Sequence, residues 1–364
     1  MNQSPSHPIR VGVIGLGFMG ATHIAAYTAA AGAGFACVLT AVCDRKESRR
    51  KGQLWDVGGN IDTDISARKL AFDPQRVRGY ETPQQLLDDP DVDLVSICTR
   101  TDSHVDLSIE ALRRGKHVLV EKPVALSVGD VERLRVAARA AGKVVMPAMC
   151  IRFWPHWAYL KQRIDDGDLG ACVSATFTRL AAAPNWSGGF YKTAHSGGAL
   201  FDLHVHDADF VRYCFGDPAS VSSIGRVGHT GAIDHITTAY HFRTRDMRGK
   251  SLPTHVVAEG GWDQHAGFAF RMRYVAVFEN ATLDYDLTRD PPLLICRNGK
   301  AEPVEVEKIS GYDGEIRHMI ELIAAGRNDP LATLDEAVAV TRLLNAERRS
   351  VETRRPVTLG EKLE

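Results

Sequence analysis

The sequence predicts an α/β protein of two domains, the first built on a parallel sheet and the second on a mostly antiparallel one. Strand-like and helical segments alternate up to residue 149, a rhythm typical of βαβ units. From residue 150 onward strand-like runs follow one another at short spacing. The length of 364 residues also fits two domains, which we place at residues 1–149 and 150–364.

The composition excludes several classes of protein. The chain has 44 basic and 45 acidic residues and a net charge of −1, which argues against binding nucleic acid or a membrane surface. No apolar run approaches the roughly 18 residues of a membrane span, and residues 1–10 lack the apolar core of a signal peptide. The seven cysteines are scattered without a CxxC pair. We therefore expect a soluble cytoplasmic protein with mostly buried thiols.

The first strand ends in a glycine-rich turn. The apolar run Ile9–Ile14 leads into Gly15-x-Gly17-x-x-Gly20, and helix-compatible sequence continues from Ala21 to Ala31. Three glycines at this spacing arise often by chance, so the context decides. A strand before the turn, a helix after it and an acidic residue after the next strand predict a Rossmann dinucleotide-binding domain.

In such a turn each glycine has a physical task. Gly15 permits the tight turn, Gly17 lets the backbone approach a pyrophosphate, and Gly20 lets the helix pack on the strand. The phosphates then lie at a helix N-terminus, where free N–H groups favour negative charge. Phe18 and Met19 of the same turn are assigned to this cofactor site.

The acidic residue is Asp44, after the predicted strand Phe35–Cys43. A carboxylate here accepts hydrogen bonds from the adenosine ribose and repels a 2′-phosphate, which favours NAD. The neighbouring Arg45 and Lys46 can accommodate that phosphate, so NADP stays possible.

Later strands of this domain bring further polar residues to the same edge of the sheet. We predict strands at Leu94–Cys98, His117–Val120 and Val144–Ala148, with helices ending at Arg114 and covering Val128–Ala141. Ligands bind outside the carboxyl ends of parallel strands, which places Thr99, Glu121 and Lys122 at the cofactor. The alternative for Glu121-Lys122-Pro123 is a charged surface turn.

The second domain carries an unusual predicted helix, Gly197–Tyr213, among strand-like runs at 173–180, 220–227, 235–242, 254–262, 267–278 and 282–285. At 100° per residue, Asp202, His206 and Asp209 share one arc, while His204 and Asp207 point the other way. A solvated amphipathic helix is polar on one side only. Polarity on both sides does not fit that alternative, and the sequence before the helix must decide whether it holds an active site. Helices at 312–325 and 333–353 close the chain.

These motifs occur together in one order: the glycine turn, Asp44, His104, Glu121-Lys122-Pro123, Arg152-Phe-Trp-Pro155, and Gly197-Gly198 followed by Asp202, His206 and Asp209. The series resembles the Gfo/Idh/MocA family of oxidoreductases. The resemblance implies a Rossmann domain followed by an α/β domain with a large open sheet. It also implies that Lys122, Asp202 and His206 are catalytic, that His104 lies with the cofactor residues, and that the Lys122–Pro123 bond is cis.

Members of this family act on sugars, inositols and related polyols, so the resemblance implies an NAD(P)-dependent dehydrogenase acting on CH–OH groups. The open sheet usually packs against another subunit, which implies a homodimer or homotetramer. Two positions depart from the family pattern. Thr99-Arg100-Thr101 replaces a common Thr-Pro-Asn, and His204 stands where many members have glycine.

The expected chemistry assigns one task to each catalytic residue. His206 removes the hydroxyl proton, Asp202 orients its imidazole, and Lys122 stabilises the developing alkoxide. Arg152, Trp186 and Tyr191 are candidates for the substrate wall.

Three alternatives remain open at this point. They are a non-catalytic nucleotide sensor, an aldose–aldose oxidoreductase that retains its cofactor, and a metal site formed by His204, His206, Asp207 and Asp209. We expect no metal, because His204 and His206 point to opposite faces of a helix.

Overall fold

The structure is a computed structural model that describes residues 7–54, 57, 71–183, 197–228, 230–246, 249 and 251–360. Its contacts group the chain into two compact units: Met1–Phe153 with Ile309–Val338, and Trp154–Lys308 with Ala339–Glu364. The first unit thus includes a segment that the sequence assigned to the second domain. The functional division after residue 149 stays a prediction. Within the described residues, no helix combines the length and the apolarity that crossing a bilayer requires.

The first unit contains a parallel sheet of six strands in the order β3-β2-β1-β4-β5-β6. The strands are β1 (Ile9–Ile14), β2 (Cys37–Cys43), β3 (Arg78–Tyr80), β4 (Leu94–Ile97), β5 (His117–Val120) and β6 (Val145–Pro147). Runs such as Leu94–Ile97 are buried throughout because both faces of a parallel sheet are covered. The strand order reverses direction at β1, which opens a crevice at the carboxyl ends of β1 and β4.

Helices connect these strands: α1 (Phe18–Gly32), α2 (Glu47–Arg50), α3 (Pro83–Leu87), α4 (Thr101–Arg113) and α5 (Val128–Ala141). The last shows how the sequence sets helix ends. Ser127 accepts a hydrogen bond from the Asp130 N–H at the start of α5, and Gly142 ends it in the left-handed conformation at φ 62°. A 3₁₀ turn at Cys150–Phe153 follows β6.

The second unit begins with α6 (Pro155–Asp166), a helix absent from the sequence prediction. Its other elements are β7 (Cys172–Ala182), α7 (Gly198–Asp202), α8 (Val205–Phe215), β8 (Ser220–Val227), β9 (Ile233–His241), β10 (His255–Gln264), β11 (Arg271–Phe278), β12 (Thr282–Asp286), β13 (Leu293–Arg297) and β14 (Lys300–Pro303). The chain closes with α9 (Gly311–Ala324), α10 (Leu334–Thr353) and β15 (Val357–Thr358).

The described strands of the second unit form a nine-stranded sheet in the order β14-β13-β12-β11-β7-β10-β9-β8-β15. Only the β7–β10 pair among them is parallel. The predicted combination of a Rossmann domain with a mostly antiparallel C-terminal sheet is therefore confirmed.

One face of this sheet is covered by α6 and α8 around a single aromatic residue. Trp157 of α6 is fully buried. Its ring lies 4.9 Å from Phe210 of α8, 5.8 Å from Phe177 of β7 and 5.2 Å from Tyr274 of β11, measured between centroids. Aromatic rings in such edge-to-face and stacked contacts bury large areas, so this cluster fixes both helices on the sheet.

Candidate functional site

The glycine turn between β1 and α1 has the geometry that its sequence predicts. Gly15 has φ 89°, and a Cβ there would lie 2.6 Å from the Cys98 carbonyl oxygen. A Cβ on Gly20 would lie 1.9 Å from the Gly15 carbonyl oxygen, so helix and turn touch through bare backbone. A Cβ on Gly17, in contrast, would meet no described atom within 4 Å. Packing within the protein therefore explains why positions 15 and 20 are glycine, whereas Gly17 borders open space.

That space lies at the start of a helix. Gly17 is the N-cap of α1, and no side chain of the described residues caps its first N–H groups. Uncapped N–H groups at a helix N-terminus favour an anion. Phe18 and Met19 occupy the first turn of α1 and are both partly exposed. The turn thus fits a bound pyrophosphate in both shape and charge.

Asp44, directly after β2, lies beside the turn. Its Oδ2 accepts the Leu16 N–H at 2.9 Å, and its Oδ1 accepts the Lys46 N–H at 2.8 Å. A carboxylate has about four acceptor sites, so both oxygens keep capacity for ribose hydroxyls. Arg49 lies 3.8 Å from Oδ2, and the adjacent Arg45 is exposed. The carboxylate is therefore fixed beside the glycine turn and keeps capacity to accept further hydrogen bonds.

The loops after β4 and β5 are tied together by His104. This histidine of α4 is buried, with its ring nitrogens 3.0 Å from the carbonyl oxygens of Thr99 and Pro123. Burial lowers the pKa of His104, although the two carbonyl oxygens raise it. The sequence assigned His104 to the cofactor. In the structure its ring lies between the two loops and contacts a carbonyl oxygen of each.

Lys122 lies in the second of these loops, at the carboxyl end of β5, and is partly buried. The Lys122–Pro123 peptide bond is cis, as the resemblance implied. The backbone N–H of Lys122 donates to Glu121 Oε2 at 3.1 Å. Thr99 Oγ1 lies 2.7 Å from Ser103 Oγ, and the adjacent Arg100 is exposed beside Asp102. Polar groups of two neighbouring loops therefore meet at this edge of the sheet.

In the second unit, the predicted single helix Gly197–Tyr213 is two helices, and that prediction was wrong. The amides of Leu203 and His204 both donate to the Ala199 carbonyl, at 2.9 and 2.8 Å. The second bond spans five residues, a π-type turn that inserts one residue into the helical repeat. Asp202 consequently ends α7 while His206 lies in the first turn of α8.

The break separates two groups of polar side chains. Asp202 and His206 are partly exposed, whereas His204, Asp207 and Asp209 are buried to within 1% of full burial. Asp207 accepts two hydrogen bonds from Arg179 of β7, at 2.8 and 3.1 Å. The structure thus assigns Asp207 to the attachment of α8 to the sheet.

His204 is held on the same side. Its Nε2 lies 3.1 Å from Glu347 Oε2 of α10 and 3.3 Å from the Tyr240 hydroxyl of β9. A Cβ on Gly260 of β10 would come within 2.8 Å of its Nδ1. The role of His204, which the sequence left open, is to pack helix against sheet.

The three candidate substrate residues have different outcomes. Arg152 is buried in the first unit and donates to the Leu331 carbonyl at 2.8 Å and to Glu336 at 2.7 Å. Its guanidinium therefore serves the interior of that unit and does not line a substrate wall. Trp186 and Tyr191 lie outside the described residues.

Sequence reasoning also missed residues. His23 of α1 and Glu315 of α9 are fully buried beside Glu121, and Arg179 and Glu347 are the partners just described. The one signal in the sequence was His23 itself, an ionisable residue inside the mostly apolar helix FMGATHIAAYTAAAG. The others lie on separate elements and gave no local signal.

Two family models match the chain. One, described as an oxidoreductase family with an NAD-binding Rossmann fold, matches residues 9–149, and a GFO/IDH/MocA C-terminal domain matches residues 157–282.

The cysteines agree with the expectation from the sequence, since five of the seven are buried and two are partly exposed.

Inositol 2-dehydrogenase from Rhizobium meliloti (strain 1021) is 31% identical over 280 residues, which cover 72% of this chain and 81% of that relative. A scyllo-inositol 2-dehydrogenase (NAD(+)) from Bacillus subtilis (strain 168) is 33% identical over 224 residues, 61% of this chain and 58% of the relative. The chain thus spans little more than half the length of the Bacillus protein. Among solved structures, levoglucosan dehydrogenase in complex with NADH and levoglucosan matches with a TM-score of 0.79 at 20% identity, covering 98% of this chain and 100% of the other. This chain belongs to the Gfo/Idh/MocA oxidoreductase family.

Proposed function

We propose that the protein is an NAD(P)-dependent oxidoreductase that transfers a hydride between a nicotinamide cofactor and a secondary alcohol of a sugar, inositol or related polyol. The observation that carries the proposal is the open space at Gly17, which protein packing does not explain and a pyrophosphate does. The substrate class is supported by the inositol dehydrogenases among the relatives.

NAD is the preferred cofactor, with NADP as the second choice. The Asp44 carboxylate is fixed by the Leu16 and Lys46 amides, and its charge opposes a 2′-phosphate. Arg45 and Arg49 supply the positive charge that NADP needs.

The catalytic roles fall to three residues. A bound nicotinamide supplies the hydride acceptor for alcohol oxidation. His206 takes the hydroxyl proton, since histidine is the side chain that most often serves as a general base in enzymes. Asp202 orients the imidazole and stabilises its protonated form, and Lys122 donates to the substrate oxygen as alkoxide charge develops. The partial exposure of all three side chains supports this assignment.

We propose a second copy of this chain as the partner on the face of the nine-stranded sheet opposite α6 and α8. Val257, Thr176 and Val275 are register partners on adjacent strands, so they share that face, and each is partly or fully exposed. Ile224 on the same face is 76% exposed. Exposed aliphatic residues on a sheet face favour a protein partner. Light scattering of the wild type and of Ile224→Glu tests it, with a larger species expected only for the wild type.

The test of the function is reduction of NAD⁺ and NADP⁺ across a panel of inositols, aldoses and their acids. We expect turnover with at least one polyol or sugar, faster with NAD⁺. Tight cofactor binding without reduction by any member of the panel would indicate the nucleotide sensor. A tightly retained cofactor that is reduced and reoxidised by two different sugars would indicate the aldose–aldose oxidoreductase.

The cofactor site itself is tested by Gly17→Ala. The added methyl group enters the space assigned to the pyrophosphate and meets no described protein atom, so NAD⁺ binding weakens while the free protein keeps its melting temperature. Gly129→Ala is the matched control, because its Cβ also meets no described atom. Calorimetric titration with NAD⁺ measures both. Equal affinity in wild type and Gly17→Ala contradicts the assignment.

A further inference from the structure

A group of buried polar side chains lies behind Lys122 within the first unit. We call it the buried acid cluster: His23 of α1, Cys98 after β4, Glu121 after β5 and Glu315 of α9. His23, Glu121 and Glu315 each offer a ligand-type atom, and these atoms lie within 4.8 Å of one another. Burying two carboxylates together is costly unless their charge is balanced, so the cluster needs an explanation.

Three of its members form one directed chain of hydrogen bonds. Glu121 Oε2 accepts the backbone N–H of Lys122, and Oε1 lies 3.0 Å from His23 Nε2, which therefore carries a proton. His23 Nδ1 lies 3.5 Å from the Cys98 sulfur. Burial raises the pKa of the Cys98 thiol, so it stays protonated and donates to Nδ1. With Glu121 ionised, each hydrogen bond of this series has one donor and one acceptor.

Glu315 lies beside this series of hydrogen bonds. Its side chain is fully buried, and Oε1 lies 3.7 Å from His23 Nε2. Neither of its oxygens has a hydrogen-bond partner among the residues that the structure describes. Burial and the charge of Glu121 raise the pKa of Glu315 well above its usual range. Two carboxylates this close, in an apolar setting, share one negative charge at neutral pH.

The other titratable groups facing the cluster do not change this balance. Tyr27 of α1 is buried, its hydroxyl lies 2.8 Å from Ser96 Oγ, and burial raises its pKa far above neutrality. For Glu121, burial alone would raise the pKa, but the hydrogen bond from His23 and the positive charge that surrounding groups can carry outweigh burial and lower the pKa. The negative charge therefore resides on Glu121 and the proton on Glu315.

We propose that Glu315 is a positioning residue for Lys122: as a neutral acid it packs against His23 and leaves Glu121 ionised, and the Glu121 carboxylate fixes the Lys122 backbone. The inference rests on the proposed role of Lys122. A divalent cation bound by His23, Glu121 and Glu315 is the competing occupant of the cluster. The 3.0 Å separation of His23 Nε2 and Glu121 Oε1 has the length of a hydrogen bond, and metal analysis of the purified protein distinguishes the two occupants.

The protonation of Glu315 is tested without any enzyme assay. The infrared spectrum of the free protein at neutral pH should contain the carbonyl stretch of a buried, protonated carboxyl group. Glu315→Gln should remove that band, whereas the control Glu305→Gln, at an exposed position, should not. A spectrum unchanged by Glu315→Gln, or a stoichiometric divalent metal in the purified protein, overturns the inference.

Positioning is tested by comparing a neutral polar substitute with an apolar one. We expect Glu315→Gln to retain the protection of the Lys122 amide against hydrogen exchange and Glu315→Leu to lose it. If the proposed dehydrogenase activity is established, kcat per folded molecule should fall about ten- to a hundredfold in Glu315→Leu, because a small displacement of a reacting group costs that much. Glu315→Gln should stay within about twofold of the wild type.

The two substitutions also separate positioning from stability. Equal loss of amide protection in Glu315→Gln and Glu315→Leu would assign Glu315 a purely structural role. Absence of turnover with every substrate would refute the proposed function alone, since the infrared and exchange results still decide the state and effect of Glu315.

Discussion

The segment Asp202–Asp207 contains two pairs of polar side chains in opposite settings. His204 and Asp207 are fully buried, whereas Asp202 and His206 keep partial exposure. The buried pair contacts residues on the sheet and on α10. One pair therefore anchors the segment to the sheet and to α10, while the other pair keeps contact with solvent. Substitutions in each pair test whether anchoring and the proposed chemistry are separate.

The largest effect is expected on the exposed side. His206→Ala should lower kcat by about 10² to 10⁴, the usual contribution of a general base, while the melting temperature stays close to that of the wild type. The control is His265→Ala, at an exposed position between β10 and β11. Steady-state kinetics and thermal unfolding measure both proteins. Unchanged turnover in His206→Ala would remove it from the proposed mechanism.

Substitution of the buried pair should lower the unfolding free energy. Asp207→Ala leaves Arg179 buried without its partner, and we expect about 3–5 kcal/mol of lost unfolding free energy. Replacing both residues, in Asp207→Leu with Arg179→Met, should recover much of that loss because no charge stays buried. Denaturant unfolding measures each variant.

A more exposed ion pair at the C-terminal end of α8 serves as the control for Asp207. Asp217 pairs with Arg212 at 2.6 Å but is 61% exposed, so Asp217→Ala should cost at most about 1 kcal/mol. Similar losses in Asp207→Ala and Asp217→Ala would contradict the assigned anchoring role.

The sequence predicted features that are local in the chain, and it did not predict contacts between residues on distant elements. The family and the Rossmann fold were predicted and are confirmed, because the glycine turn and its flanking strand and helix are local in sequence. The anchoring of Asp207 and His204 could not be predicted, since their partners, Arg179 and Glu347, lie on distant elements. Similarly, the helix break depends on one shared carbonyl at Ala199.

One missed element did have a local signal. β13 and β14 were absent from the prediction, yet Asn298-Gly299 connects them with φ 52° and 74°. Asn-Gly is the residue pair that favours a type I′ hairpin turn. The β13–β14 hairpin could therefore have been predicted from the sequence.

A smaller effect is expected where the anchoring side meets β10. In Gly260→Ala the new Cβ would lie 2.8 Å from His204 Nδ1 and 2.9 Å from its Cβ, so His204 must shift. Overpacking of this kind costs about 1–3 kcal/mol. Denaturant unfolding measures the loss. The control Gly129→Ala in α5 should be neutral or slightly stabilising, and the same result for Gly260→Ala would show that His204 is free to move.

The smallest effect is expected for a histidine that is paired but only partly buried. His235 of β9 lies 2.9 Å from Asp263 and 3.1 Å from Glu259, and its side chain is 26% exposed. Burial alone would lower its pKa, but the two carboxylates outweigh burial and raise it. A histidine whose pKa is raised in the folded state contributes its full stabilisation of the fold below about pH 6.5, and this contribution is lost as the pH rises through the folded pKa.

His235→Asn should therefore lower the unfolding free energy by at most about 1 kcal/mol at acidic pH, after allowance for solvent screening, and by less at alkaline pH. Denaturant unfolding on both sides of that range measures it. A larger loss at alkaline pH would mean that the neutral ring, and not its charge, stabilises this part of the sheet.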